Sequence, residues 1–123
     1  MSLGDDYAWD EWGKTLRSVP GLHLVAVMKP SGEVIMPLVA HEVSKDGLEE
    51  TLQAVANAFG MLREQDPDAW QIRWVYKKAT LHASMFADLT TIIALAPNDK
   101  HFDRKRYELV MEELKMAFDS DEA

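Results

Sequence analysis

Read in order, the spacing of apolar positions predicts a helix, two strands, one long helix, three strands and a closing helix. The first helix spans 6–17. Trp9, Trp12, Leu16 and Val19 recur at i, i+3, i+7 and i+10, and Asp5 and Asp6 stand at its positive end. Val19-Pro20-Gly21 stops it, because the residue before proline disfavours the helical region and glycine frees the turn. A hairpin follows, with strands 22–28 and 33–39 around Lys29-Pro30-Ser31-Gly32. The first strand is almost wholly apolar, which suits a strand covered on both faces.

The long helix, 46–65, is the most informative element. At roughly 100° per residue its apolar and alanine positions cover an arc of about 220°, against the ~100° that a helix on one sheet needs. Leu48, Leu52, Val55, Phe59 and Leu62 form the centre, and Ala54, Ala58 and Met61 extend one flank. The surplus is read as half of a subunit interface. Asp46 and Glu49 are read as a capping box at its start. Strands are then expected over 70–77, 79–86 and 89–96, with Ala87-Asp88 as a tight turn and Lys77-Lys78 as a turn lacking Gly or Asn. The closing helix, 102–118, carries Tyr107, Val110, Met111, Leu114 and Phe118 on one face, and 119–123 is expected to be an acidic tail. The fold class expected is α+β: one five-stranded antiparallel sheet with one helix on one face and two on the other.

This pattern is similar to that of the Roadblock/dynein light chain family. The resemblance rests on Leu16…Val19-Pro20-Gly21-Leu22, on Pro30-Ser31-Gly32-Glu33, and on the Leu48/Leu52/Val55/Phe59 helix. The strand-turn-strand from Ala79 through Ala87-Asp88 to Ile92-Ile93-Ala94-Leu95 completes it. Lys77-Lys78 and the Trp70/Trp74 pair depart from the usual pattern. The resemblance implies a homodimer or heterodimer in which the third strand pairs with its counterpart and the middle helices pack together. It also implies a regulatory or scaffolding role beside a Ras-like small GTPase, or within a larger assembly such as dynein.

Several side chains are candidates for that surface. Trp70, Ile72, Trp74 and Tyr76 share a parity on the third strand and are expected on one face, as a self-association surface or as core under the strand's own helix. With Ala54, Ala58 and Met61 they make the expected dimer interface. Arg63, Arg73, Arg104, Lys105 and Arg106 are the candidate partner or anion contacts, the last three opening the closing helix beside Lys100. Cations are out of place there, because the positive end of the helix dipole repels them.

Composition narrows the function classes. The 123 residues suit one domain, 1–123, with 1–4 read as a tag or disordered start. A formal charge of −8 argues against a nucleic-acid partner. No apolar run approaches the ~18 residues of a membrane span, and the start lacks a basic signal region, so a cytoplasmic location is expected. With no cysteine there are no disulfides, thiolate metal sites or cysteine nucleophiles. His23, His41, His82 and His101 fall on four different elements without metal-ligand spacing. Asp66/Asp68 and Asp119/Asp121 lie in a loop and a tail, and no phosphate-binding GxxxxGK[ST] loop is present. Nothing calls for an enzyme or a cofactor. The function expected is a non-catalytic, homodimeric interaction module regulating or scaffolding a Ras-like GTPase. The alternatives are a structural subunit of a larger complex, or a small-ligand sensor with a pocket between sheet and helix.

Overall fold

Eight elements form in the expected order. The computed structural model describes residues 6–39 and 45–122. Within them α1 spans Asp6–Arg17, β1 Leu24–Met28, β2 Val34–Val39 and α2 Lys45–Gln65. Then come β3, Gln71–Val75; β4, Ala79–Met85; β5, Thr91–Pro97; and α3, Arg104–Glu122. The strands make one antiparallel sheet in the order β2-β1-β5-β4-β3, so β1 and β5 are central and β3 closes one edge. The molecule is α+β, with α2 on one face of the sheet and α1 and α3 on the other.

Each face has its own core. Under α2, Leu48, Leu52, Val55 and Phe59 meet Leu24, Ala26, Met28, Ala83, Met85 and Ile93. On the other face Trp9 and Leu16 of α1, with Val19 just past its end, join Tyr107, Met111, Leu114 and Phe118 of α3 over Val25, Val27, Ile92 and Ala94. Phe86 stacks on Phe118 with centroids 4.5 Å apart. Fully buried side chains such as Leu52 and Phe59 each contribute about 1.5–3 kcal/mol, so they seat α2, and its alanine flank is left over. Every residue of β1 is buried, as expected of a strand covered on both sides.

The turns follow from their residues. Gly32 adopts φ 92° and donates to the Lys29 carbonyl, closing the first hairpin. Gly21, at φ 81°, lies so close to His101 and Phe102 that a Cβ would come within 2.5 Å of both. It locks the α1–β1 connection to the β5–α3 connection. In the β4–β5 turn it is Leu89 that takes a positive φ, 76°, while Asp88 accepts from the Thr90 amide.

Four details differ from expectation. The Lys77-Lys78 turn obtains its missing polar support from β5's end. Asn98 donates its amide to the Lys78 carbonyl and its side chain to the Tyr76 carbonyl. The third strand is shorter than 70–77: it spans Gln71–Val75, and Trp70 and Tyr76 are each held to β4 by a single backbone hydrogen bond at its ends. Residues 119–122 continue α3 instead of forming a tail, and Lys115 pairs with Asp119 at 2.9 Å. Asp46 falls inside the first turn of α2, not at its cap, and the cap position lies outside the described residues. No helix among the described residues is long and apolar enough to cross a membrane.

Candidate interaction surface

Among the described residues β3 pairs with β4 alone, leaving its other edge open. Its hydrogen-bond phase can be read from its two ends. The Met85 amide donates to the Trp70 carbonyl, and the Tyr76 amide donates to the Ala79 carbonyl. In an antiparallel ladder such pairs recur at every second residue, so Ile72 and Trp74 also direct their backbone groups to β4. Gln71, Arg73 and Val75 therefore turn their N–H and C=O groups to the open edge. A short edge strand with three unpaired positions is a template for a further strand.

The side chains divide by the same alternation. Ile72 and Trp74 are half-buried against the α2 core. Gln71, Arg73 and Val75 face the α3 side and are exposed, Val75 by 71%. Tyr76, past the end of the strand, is 58% exposed. Trp70 departs from the expected arrangement. It packs on the opposite core, 6.2 Å from the Phe86 ring and under the Lys115 ammonium, because it precedes the strand and escapes its alternation. The aromatic row on one face is thus Ile72 and Trp74, with Tyr76 at its end.

α2 presents a mixed outer surface. Helical spacing puts Ala58 on the flank away from the β1–β2 hairpin, where it is half-buried. Met61 is 71% exposed near the outer pole. Ala54, one turn before Ala58 on the same flank, is exposed and also borders the groove over Met28 and Val34. A second, more apolar groove of about 360 Å³ runs between α2 and the hairpin tips, walled by Met28, Pro30, Gly60, Met85 and the strained Leu89. Apolar periodicity carries no signal for this groove, since it reads Leu89 as the first residue of a strand and not as part of the turn.

The basic candidates separate. Arg63 is a structural residue. Its guanidinium donates to the carbonyls of Ala69 and Met85, both at 2.9 Å, and lies over the Phe59 ring. Removing it would strip two partly buried acceptors of their donor, and it is not free to reach a partner. Arg73 of β3 and Arg104 of α3 line one cleft, with His82 of β4 between them. Lys105 and Arg106 are exposed, Arg106 reaching the Ser18 hydroxyl at 3.5 Å. Asp103 caps α3 by accepting from the Arg106 amide.

His82 is buried against the Phe102 and Tyr107 rings. Burial, with Arg73 and Arg104 adding to it, holds its imidazole down to about 4, so it is neutral at physiological pH. His23 is half-buried, His101 pairs with Asp99 at 3.3 Å, and His41 lies outside the described residues. No group of three potential metal ligands occurs among the described residues.

No protein-family model and no curated protein sequence matches this chain. Solved structures do. MglB of Myxococcus xanthus superposes with a TM-score of 0.72 at 14% identity, over 94% of this chain and 98% of that one. The gliding protein MglB of Thermus thermophilus gives 0.65 at 14% identity, over 93% and 90%. A Roadblock/LC7 domain from Streptomyces avermitilis gives 0.61 at 16% identity, over 88% and 92%. Identities this low carry the architecture and nothing finer. With its sheet order, its helix layers and its open third strand, the chain has the Roadblock/LC7 fold.

Proposed function

We propose that this protein is a non-catalytic, homodimeric interaction module that regulates or scaffolds a Ras-like small GTPase in the cytoplasm. The observation that carries the dimer is the open edge of β3, with outward backbone groups at Gln71, Arg73 and Val75 and partly uncovered Ile72 and Trp74; half-buried Ala58 of α2 is proposed to extend the same surface. Antiparallel pairing of two β3 strands gives a ten-stranded sheet and brings two α2 flanks together. A specific interface of this kind buries at least about 1,000 Å² in total. Ala54, Ala58, Met61, Ile72, Trp74 and Tyr76 are its proposed contacts, and Trp70 supports β3 from the other face. The GTPase rests on the Roadblock/LC7 likeness in sequence pattern and fold.

A module without chemistry acts by holding the GTPase's own catalytic groups in place, or by lending an arginine. Ordering is the favoured route here, since Arg63 is engaged in the fold and Arg73 and Arg104 line a cleft. The test pairs Ala58→Glu with the unaltered protein. In sedimentation the unaltered protein is a dimer at tens of micromolar and the variant a helical monomer, because an unpaired carboxylate in the interface costs several kcal/mol. Small GTPases from the same genome, loaded with GTP or GDP, are then offered to both. Binding by the dimer and not the variant supports the proposal. If none binds in either state, the structural-subunit reading replaces it.

A further inference from the structure

The chain is acidic, 21 carboxylates against 13 basic side chains, yet its cations are not spread evenly. Arg73, the Lys77–Lys78 pair, Lys100 and the run from Arg104 to Arg106 make up more than half of them, and all belong to one end of the molecule. Asn98 ties that end together, joining the β3–β4 turn to the β5–α3 connection through Lys78 and Tyr76. The carboxylates there are already engaged. Asp99 accepts from the His101 amide, Asp103 caps α3, and Glu108 takes the Arg104 Nε–H at 2.9 Å. The first turn of α3 adds the positive end of a 19-residue helix.

Between β3–β4 and α3 lies a cleft of about 200 Å³, whose polar lining is Gln71, Arg73, His82, Ser84, Arg104, Tyr107 and the carboxylate of Glu108, which Arg104 holds. Its floor is polar where the rest of this face is apolar: His82 and Ser84 occupy sheet positions beside Ile92 and Ala94. Tyr107, only 2% exposed, has a hydroxyl without a hydrogen-bond partner, an unfavourable state for a buried donor. Burial pushes its ionisation up, so it remains a donor. Among the described residues no carboxylate pairs with Arg73, and the Glu108 bond leaves the two Arg104 NH₂ groups available. Two guanidiniums, a neutral imidazole and a hydroxyl offer more donors than the two oxygens of a carboxylate accept. A phosphate group presents three terminal oxygens and up to two charges.

We propose that this cleft binds the phosphate group of a small phosphorylated molecule, held between Arg73 and Arg104 over His82. The overall charge of −8 disfavours an extended polyanion, and the volume suits one group and not a chain of them. The site lies on the α3 side of the sheet and does not depend on the dimer or on a GTPase.

The test is a residue-resolved NMR titration of the full chain with inorganic phosphate, glycerol 3-phosphate, acetate at matched ionic strength, and vesicles containing phosphatidic acid. Saturable shifts confined to Arg73, His82, Arg104 and Tyr107 are expected with phosphate in the millimolar range, and tighter binding is expected with the ester. Arg73→Gln and Arg104→Gln each weaken binding about tenfold with spectral dispersion retained, while Lys14→Gln on α1 changes nothing. Bound phosphate also raises the His82 titration, since it offsets Arg73 and Arg104 and adds to Glu108; Tyr107 stays uncharged throughout. An equal response to acetate, shifts that never saturate, or shifts unchanged in Arg73→Gln overturn the proposal. So does vesicle binding without any response to the soluble phosphates.

Discussion

His82 couples the fold to pH. The unfolded chain takes up a proton at this residue near the usual histidine value of 6.5, whereas the folded protein resists until about 4. Between those values the unfolded state holds more protons, so acid favours it. The stability that His82 supplies is therefore complete above pH 6.5 and is lost as pH falls towards 4. With the residue only 7% exposed, the loss is about 3 kcal/mol across that window. His82→Gln keeps a polar group and cannot titrate. Urea unfolding at a series of pH values should show the native protein losing stability between pH 6.5 and 4 and the variant losing much less. Parallel curves would mean that the imidazole reaches solvent and protonates freely. Leu89 is the other residue under tension, since a branched side chain at φ 76° costs about 1 kcal/mol or more and persists beside an apolar groove.

At the scale of elements, β3 makes the sharpest prediction. Proline removes one backbone donor. In Trp74→Pro the lost N–H is one that faces β4, so the ladder breaks and the domain loses about 3 kcal/mol or unfolds. In Val75→Pro the lost N–H faces the open edge, so the fold survives and association weakens. Circular dichroism and sedimentation of the two variants decide it, and equal behaviour would rule out strand pairing at this edge. Most elements were legible from periodicity. The Leu48/Leu52/Val55/Phe59 stripe and the apolar run of β1 each impose one structure by burial alone. What periodicity missed depends on distant residues. Trp70 turns to the far core because strand alternation begins one residue after it, and Lys77-Lys78 turns because Asn98, some twenty residues on, supplies the hydrogen bonds. Arg63 looked available until two carbonyls from the β3 entry and β4 claimed it. The cleft proposed for phosphate draws Arg73, His82 and Arg104 from three elements, and no local spacing announces such a set.

For the molecule as a whole, the strand order separates local from distant pairing. The hairpins β1–β2, β3–β4 and β4–β5 each join neighbours in sequence. The bond between the halves is β1 against β5, with Leu24 opposite Leu95, and it closes a loop of about seventy residues. That closure must be made before the central strands gain their burial, so it sets the folding time of the chain. Val27 lies in β1 with no exposed surface and faces Ile92 across this junction. Val27→Ala should slow refolding in stopped-flow experiments by most of the stability it removes. Ile72→Ala, on the edge strand added to an assembled sheet, should leave refolding nearly unchanged and speed unfolding instead. The strand with the open edge is then the last to form on each chain. A newly made copy would then present it only once the rest of the sheet is in place, which would delay the proposed pairing with a second copy until there is a finished fold to pair.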